Sequence, residues 1–347
     1  MSHRRHPHKT LAFPAPLRYP VHAVARRSPA SRVTSAPLPP MPAPLVTVLT
    51  ASYNYARWLP EAVRSVLAQT CPDLELLILE DGSSDASADV ARALAAEDPR
   101  VRLLFHPDHA NHGLPATLRL GLAQARGQWL AFLEADDIWL PRALEARLDA
   151  ATRYGADLAF CHIAPLAHDE AALDWFNGYV PRIMAEHRRR QEAAGGRPLT
   201  LGGRCLLENP IPTFSCVLVR TDLMRACNWQ APVPRWLDWW LWCQLAARSV
   251  PVAFVPEALV QWRLHSASQH HAVGASYLRE YALMGRELRR LLGPALSPLQ
   301  RAFLALPAPL RLAARAARML AHDSPAATLR PLRRRLGREQ LQGGGAP

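Results

Sequence analysis

The fold is decided by the stretch Leu74-Glu75-Leu76-Leu77-Ile78-Leu79-Glu80-Asp81-Gly82-Ser83-Ser84-Asp85. Its first six residues form an apolar run of strand length, and the acidic and turn-forming residues behind them end that run. Ser84 or Asp85 can then cap a helix, because apolar residues follow at helical spacing. The stretch therefore predicts a buried strand that passes through an acidic loop into a helix.

The same pattern repeats on both sides of this stretch. Further strands are predicted at Leu45–Thr50, Val101–Phe105 and Trp129–Leu133, and helices at Leu59–Gln69 and over residues 114–126. Because strands that alternate with helices are joined by right-handed crossovers, the order predicts an α/β fold with a mainly parallel sheet.

Acidic residues follow two of these strands at the point where each strand ends. Glu80 and Asp81 end the second strand, and residues 134–137 (Glu-Ala-Asp-Asp) end the fourth. Open α/β sheets bind small molecules beyond the carboxyl ends of their strands, so these carboxylates are expected to face one crevice. The alternative for either cluster is a set of helix caps that point at backbone amides.

Charge is distributed unevenly along the 347 residues, of which 49% are apolar and 20% charged. The net charge is +12, but residues 1–40 carry +7 and residues 286–347 carry +9, which leaves −4 for residues 41–285. A mildly acidic centre is a poor platform for nucleic acid, because neutralising phosphates supplies most non-specific affinity there. We therefore expect no nucleic-acid partner, and an anionic partner only at the ends of the chain.

The sequence favours a cytoplasmic protein that does not cross a membrane. No stretch approaches 18 unbroken apolar residues, and prolines and Arg18 interrupt the apolar part of the basic N-terminal region, so no signal peptide is predicted. The six cysteines lack metal-ligand spacing and are expected to be reduced core thiols. Residues 1–43 are proline- and arginine-rich and predict a disordered arm. Met41 lies just before the first strand, and we hypothesise that translation starts there.

Several blocks, in order, resemble those of the family 2 glycosyltransferases, which have the GT-A fold. They are Val46–Asn54, Ser65–Thr70, Glu80–Asp85, Asn111–Leu114 with Gly121 and Gly127, Phe132–Pro141, Leu237–Trp242, and Trp262–His265 with Ser266 and Ser268. The resemblance covers about residues 45–270, and it predicts a GT-A domain over residues 44–272.

The resemblance implies an inverting enzyme that transfers a sugar from a nucleoside diphosphate donor to a hydroxyl acceptor, in bacterial cell-envelope or surface polysaccharide synthesis. It implies that Asp81 contacts the nucleoside and that Asp136 binds Mg²⁺ or Mn²⁺, both of which prefer oxygen ligands. The other residues that it implies for nucleotide binding are Ser52, Tyr53, Asn54, Glu80, Glu134, Arg263 and His265. Glu80 and Glu134 stand where the family usually has Asp, so the role of Glu134 toward ribose or metal stays open.

By resemblance, Asp238 is the base that takes the proton of the acceptor hydroxyl. It lies among tryptophans at 236, 239, 240 and 242, and apolar surroundings can raise a carboxyl pKa toward that task. The alternative is that Asp238 caps a Trp-rich core helix. Asp137 has two equal interpretations, as a metal-side carboxylate or as a cap of the next helix. His265 is either a contact of the diphosphate or a hydrogen-bonded loop histidine.

The C-terminal region predicts a basic helical extension over residues 273–338 and a flexible tail over residues 339–347. Arg311, Arg315 and Arg318 share one helical face. Such a face suits the surface of an anionic membrane, where each arginine contributes about 1 kcal/mol of binding free energy. The alternative is a helix that packs on its own domain with a solvated outer face.

Two other functions are considered. One is a catalytically inactive GT-A module that binds a nucleotide sugar or a partner, which the Glu substitutions favour. The other is a nucleotidyltransferase, which requires a glycine-rich phosphate loop where this chain has Ser52-Tyr53-Asn54.

Overall fold

A computed structural model describes residues 44–167, 170–206, 208–265, 277–293 and 296–314. The predicted N-terminal arm, the tail, the extension beyond residue 314 and the predicted domain boundary at 272 lie outside these residues. Arg315 and Arg318 therefore belong to the part of the chain that is not described.

One half of the sheet is parallel, as the sequence predicts. Its strands are β1 (Val46–Ser52), β2 (Leu74–Glu80), β3 (Val101–Phe105) and β4 (Trp129–Phe132), in the order β3-β2-β1-β4. The connecting helices are α1 (Leu59–Leu67), α2 (Ser87–Glu97) and α3 (Leu114–Gln124). Every residue of β2 is buried, as expected for a central strand covered on both faces. The carboxyl ends of β1 and β2 align, with Ser52 opposite Glu80.

The other half of the sheet is mixed. Its strands are β5 (Ile138–Trp139), β6 (Leu158–Ala167), β7 (Val217–Arg220) and β8 (Val252–Leu264), and the eight-stranded order is β3-β2-β1-β4-β7-β6-β8-β5. β7 is antiparallel to β4 and β6, β5 is antiparallel to β8, and β6 is parallel to β8. The helices of this half are α4 (Ala143–Tyr154), α5 (Glu170–Ala193), α6 (Thr221–Arg225) and α7 (Leu237–Ala247). The architecture is thus a mixed α/β fold with a mainly parallel sheet flanked by helices.

Close packing of α3 against the parallel strands depends on Gly121. A Cβ atom there would lie 2.6 Å from Cδ1 of Leu79 and 2.9 Å from Cδ2 of Leu49. Because heavy atoms in a packed interior do not approach so closely, any larger residue would push α3 off the sheet.

Three predicted boundaries differ in detail. α1 ends at Leu67, and α3 ends at Gln124 because Ala125 has extended backbone angles. Ala86, rather than Ser84 or Asp85, is the N-cap residue of α2, although Oδ1 of Asp85 accepts from the amide of Ser87 at 2.9 Å.

The C-terminal helices α8 (Tyr277–Leu292) and α9 (Pro298–Ala305) are followed by a helical turn over residues 308–314. α8 packs on α7, and the rings of Tyr281 and Trp239 have centroids 5.9 Å apart. Arg311 is buried, lies 4.9 Å from the ring of Tyr281 and donates to its carbonyl at 3.2 Å. The prediction that Arg311 faces outward on a basic surface is therefore wrong, because its guanidinium fills the space above Gly285.

Two further observations concern the predicted compartment. All six cysteines are free, and all except Cys71 are buried. In the described parts of the chain, no helix combines the length and the apolarity that a bilayer crossing requires.

Candidate active site

Three carboxylates from distant parts of the chain meet beyond the carboxyl end of β4. Glu134 and Asp136 lie in the loop between β4 and β5, and Asp238 lies in the first turn of α7. Burial raises the pKa of Glu134 to about 8, and the negative charges of Asp136 and Asp238 add to the shift. Because both charges act on Glu134, the acidic loop and the first turn of α7 lie close together. The expectation that Glu80 and Asp81 face one crevice with residues 134–137 stays a prediction.

The carboxylate of Asp136 has polar neighbours from two distant parts of the chain. Its Oδ2 lies 2.9 Å from Nε2 of His265, which follows β8. Its carboxylate also accepts a hydrogen bond from Tyr55, whose pKa is raised by burial and by the charges of Asp136, Glu134 and Asp137. The ring of His265 packs on Trp58, with centroids 4.5 Å apart. Tyr55, in the loop between β1 and α1, and His265, just after β8, therefore both hold the carboxylate of Asp136.

Arg263 fixes the backbone of the same loop. Its Nε donates to the carbonyl of Asp136 at 2.7 Å, and its Nη2 forms a 2.6 Å ion pair with Glu61 of α1. The guanidinium is buried. In this conformation Arg263 holds the acidic loop, a role that the sequence analysis did not predict beside the expected contact with phosphate.

Asp137 does not cap the following helix, so this one of its two predicted roles is wrong. α4 begins at Ala143 with Arg142 as its N-cap residue, whereas Asp137 lies fully buried. Its Oδ2 accepts from Ser215 at 2.5 Å and its Oδ1 from the amide of Arg263 at 2.9 Å. Burial, followed by the charges of Asp136 and Glu134, raises its pKa well above the usual range. Both of its oxygens face protein donors, which leaves the metal interpretation without support.

Two hydrogen bonds hold the carboxylate of Asp238 in place. Asn209 donates to its Oδ2 at 2.7 Å, and the amide of Trp239 donates to its Oδ1 at 2.6 Å. Burial raises its pKa to about 7, although these hydrogen bonds oppose the shift. Trp236, rather than Asp238, is the N-cap residue of α7, but Asp238 satisfies one amide of the first turn. Both predicted roles of Asp238 are therefore compatible with its geometry.

The neighbouring tryptophans of this block are core residues. Trp239 and Trp240 are buried, with ring nitrogens that donate to the carbonyls of Cys205 and Asn228. They supply the apolar surroundings of Asp238 and pack against the domain.

Asp81 is buried at the end of β2 and organises the loop after β3. Its carboxylate accepts from the amides of His112 and Gly113 at 2.8 and 3.0 Å and from the side chain of Asn111 at 3.1 Å. Nε2 of His106 lies 3.4 Å from Oδ1. Through these hydrogen bonds Asp81 shapes the loop of residues 106–113. Its contact with a nucleoside stays a prediction.

The remaining predicted residues of the β1 and β2 loops mainly hold each other. Glu80 accepts from the amides of Gly82 and Ser83 at 2.9 and 2.7 Å. Oδ1 of Asn54 accepts from the amide of Ser84 at 2.8 Å, and Tyr53 is exposed at the rim. Ser52 is wrongly placed by the prediction, because it is the fully buried last residue of β1 and not part of the loop.

A divalent cation fits this site only if the substrate completes its ligand sphere. Within the described ranges, no group of three or more His, Cys, Asp and Glu side chains could hold a metal ion alone. Mg²⁺ is commonly held by one or two carboxylates together with substrate phosphates, and Mn²⁺ likewise suits carboxylate ligands. The carboxylate of Asp136, with His265 beside it, matches such a partial site.

Sequence reasoning missed several residues that shape the crevice, namely Tyr55, Trp58, Glu61, Asn209, Thr213 and Ser215. Tyr55 and Trp58 directly follow the predicted β1 loop, so their position next to a ligand-binding strand end was a usable signal. Asn209, Thr213 and Ser215 carry no local signal, because their partners lie at least 29 residues away in the chain.

The family model for glycosyl transferase family 2 matches residues 47–203, which include β1 to β4 and the acidic loop. Residues 47–203 therefore carry a domain similar to that of the family 2 glycosyltransferases. The chain is a glycosyltransferase, and its fold agrees with the GT-A architecture that the motifs predict.

Known proteins similar to this glycosyltransferase include two curated bacterial relatives. An uncharacterized glycosyltransferase of Nostoc is 27% identical over 234 residues, which cover 67% of this chain and 68% of that protein. The succinoglycan biosynthesis protein ExoO of Rhizobium meliloti is 33% identical over 134 residues, covering 39% of this chain and 37% of ExoO. The relatives thus include a protein of polysaccharide biosynthesis. The aligned part of ExoO is well under half of its length.

Among solved structures, the mannosyltransferase PcManGT of Pyrobaculum calidifontis in complex with GDP-Man and Mn²⁺ has the same fold. The TM-score is 0.53 at 18% identity, and the match covers 83% of this glycosyltransferase and 78% of PcManGT. At this identity the likeness concerns the fold alone.

Proposed function

We propose that this glycosyltransferase moves a sugar from a nucleoside diphosphate donor to a hydroxyl acceptor, with inversion at the anomeric carbon, in the synthesis of a bacterial cell-envelope or surface polysaccharide. The observation that carries the proposal is the position of Asp238, a carboxylate with a pKa of about 7, in the same crevice as Asp136 and Glu134. A general base works best when its pKa lies near the operating pH. The relation to ExoO supports polysaccharide synthesis.

In the proposed reaction, Asp238 accepts the proton of the acceptor hydroxyl. The acceptor oxygen forms a bond to the anomeric carbon while the bond from that carbon to the diphosphate oxygen breaks. Attack on the face opposite the leaving group inverts the configuration. The proton remains on Asp238, and the electron pair of the broken bond leaves with the nucleoside diphosphate.

The acidic loop is proposed to hold the diphosphate end of the sugar donor. Asp136, with His265 beside it, would hold Mg²⁺ or Mn²⁺, and the bound cation supplies positive charge that offsets the charge of the leaving diphosphate. Tyr55 and Arg263 keep Asp136 in position through its carboxylate and its carbonyl. PcManGT, whose solved complex contains GDP-Man and Mn²⁺, supports this assignment at the level of the fold.

We assign the nucleoside to the segments of residues 53–54 and 80–85 together with the loop of residues 106–113. Asp81 joins these segments by accepting from that loop, and Asn54 joins the β1 loop to the β2 loop. In this proposal Asp81 contributes to nucleoside binding by shaping that loop.

Association with the inner face of an anionic cell membrane is proposed for the C-terminal helices. Leu299 is 81% exposed, and Leu306 and Leu310 are exposed as well. No acidic residue occurs between positions 288 and 322, whereas arginines occur there at 289, 290, 301, 311, 315 and 318. Exposed leucines beside arginines suit a leaflet of anionic lipids, which would bring the enzyme to a lipid-linked acceptor. Arg311 is excluded from this surface because it is buried.

A thermal-shift screen of UDP-, GDP- and dTDP-sugars, each with and without Mn²⁺, tests the proposal. We expect one nucleoside to raise the melting temperature, and to raise it further when Mn²⁺ is present, because ligands that bind only the folded state stabilise it. The proposal would be rejected if no nucleoside diphosphate-sugar stabilised the protein under either condition.

A further inference from the structure

One short segment contacts three acids of the candidate site, namely Glu134, Asp137 and Asp238. In residues 209–215, here called the acid-holding segment, three side chains each donate to a different carboxylate. Asn209 donates to Asp238 at 2.7 Å, Ser215 to Asp137 at 2.5 Å, and Thr213 to Glu134. The hydroxyl of Ser215 also accepts from the amide of Glu134 at 3.0 Å. A single piece of backbone therefore sets the position of Asp238 relative to the acidic loop.

Helix α5 anchors the beginning of this segment. Arg182 forms a bidentate ion pair with the adjacent Glu208, at 2.7 and 3.2 Å, and both side chains are buried. Tyr179 donates to the carbonyl of Asn209 at 2.7 Å, and Nε2 of His187 lies 2.9 Å from the carbonyl of Pro210. Because several α5 side chains hold the backbone, Asn209 has little freedom to leave Asp238.

We propose that Asn209 is a positioning residue for sugar transfer, which holds the carboxylate of Asp238 in the orientation and ionisation state that proton acceptance requires. This inference rests on the proposed function, in which Asp238 is the base. It adds a residue, supplied by the acid-holding segment, that acts only through Asp238.

The chemistry of an amide side chain supports this role. The NH₂ group of Asn209 can donate but not accept, so its hydrogen bond to Asp238 favours the ionised carboxylate over the protonated acid. Hydrogen bonds from Asn209 and from the amide of Trp239 oppose the rise in the Asp238 pKa that burial causes. Without Asn209, a larger fraction of Asp238 would be protonated at neutral pH.

Other titratable groups around Asp238 must be distinguished from Asn209. The negative charge of Asp238 raises the pKa of Glu134 in the acidic loop and of Cys243 in α7. Beyond them lie Asp136, Cys205 in the turn of residues 202–206, and the ion pairs Arg182–Glu208 and Arg235–Glu280. The tests below keep all of these groups, so a change in the pH profile can be attributed to Asn209.

The test is the pH profile of nucleoside diphosphate release, with water as acceptor, from whichever UDP-, GDP- or dTDP-sugar the wild-type enzyme turns over. Asn209→Ala removes the donor, and Asn209→Asp replaces it by a carboxylate of nearly the same shape. We expect the acidic limb of the kcat profile to move to higher pH by about one to two units in Asn209→Ala, and further in Asn209→Asp. At high pH, turnover by Asn209→Ala should approach the wild-type value.

Asn228→Ala is the matched control, because the side-chain oxygen of Asn228 accepts from the amide of Gln230. Among the described residues, no hydrogen bond joins the Asn228 side chain to Glu134, Asp136, Asp137 or Asp238. The acidic limb of Asn228→Ala should stay at the wild-type pH. An unshifted limb in both Asn209 variants, or a loss of turnover by the same factor at every pH, would overturn the inference. If Asp238→Asn were fully active, the proposed base itself would be wrong; if Asp238→Asn were inactive and the Asn209 limb unshifted, only this inference would fail.

Discussion

Nε2 of His265 lies 2.9 Å from Oδ2 of Asp136, although the two residues are 129 positions apart in the chain. The contact joins the end of β8 to the acidic loop behind β4, and Trp58 packs against the other side of the imidazole. The Asp136 carboxylate is a suitable ligand for a divalent cation whose other ligands would include phosphate oxygens, and His265 lies beside it.

Asp136→Ala should abolish the effect of Mn²⁺ on nucleotide affinity, because the carboxylate that would link the cation to the protein is lost. Calorimetric titration of UDP and GDP with and without Mn²⁺ measures this effect. Asp89→Asn, which removes an exposed carboxylate on α2, is the control and should retain the wild-type dependence on Mn²⁺. An Asp136→Ala protein whose affinity still rose with Mn²⁺ would show that the metal binds elsewhere.

Asp81→Asn should weaken nucleotide binding even without metal. The new NH₂ group would face the amides and side chains that now donate to the carboxylate, so the loop of residues 106–113 would lose its anchor. A hydrogen bond to a charged group contributes about 1.5–3 kcal/mol, which corresponds to a roughly tenfold to hundredfold loss of affinity. Titrations of UDP, GDP and dTDP in the absence of Mn²⁺ test this, and unchanged affinity for all three would contradict it.

Much of the parallel half of the fold could be predicted from the sequence, because its signals are local. β2 is an unbroken apolar run, β1 and β4 end in polar loops, and the helices between them show regular apolar spacing. The antiparallel position of β7 and the two-residue strand β5 could not be predicted, because their pairing depends on strands that are distant in the sequence.

The candidate site divides in the same way. Asp136 and Asp238 stand within recognisable motifs, and the structure brings their elements together. The hydrogen bonds that decide what each acid can do come from unrelated segments. Ser215 donates to the carboxylate of Asp137, and the amide of His112 donates to that of Asp81. Arg311 donates to the carbonyl of Tyr281. Such pairings follow from tertiary packing, and no spacing in the sequence indicates them.

Turnover should rise with pH through about 7, because Asp238 accepts a proton only as the carboxylate and burial raises its pKa to that value. Below pH 6 most of the enzyme would carry a protonated Asp238 and be inactive, and above pH 8 the rate should reach a plateau. The measurement is the kcat for nucleoside diphosphate release at saturating sugar donor. A rate independent of pH between 5.5 and 8.5 would contradict the assigned pKa or the assigned base.

Deleting residues 315–347 should weaken binding to anionic vesicles and leave nucleotide binding unchanged. The deleted segment carries seven arginines against two acids, whereas α8 and the turn of residues 308–314, which pack on the domain, are retained. Flotation with phosphatidylglycerol vesicles at low and high salt measures the binding, and phosphatidylcholine vesicles are the control. Equal flotation of the shortened and full chains, or binding insensitive to salt, would refute an electrostatic membrane contact.

The most direct measurement is the rate of nucleoside diphosphate release by Asp238→Asn beside the wild-type enzyme, with the affinity for the nucleoside diphosphate measured on the same samples. Asn keeps the shape of Asp and caps helices about equally well, but it cannot take the proton. The account predicts a loss of turnover of about 10²–10⁴-fold with unchanged nucleotide affinity, because the groups assigned to the nucleotide lie on the acidic loop and the β1 and β2 loops. Wild-type turnover in Asp238→Asn would contradict it and leave Asp238 as a structural residue of α7.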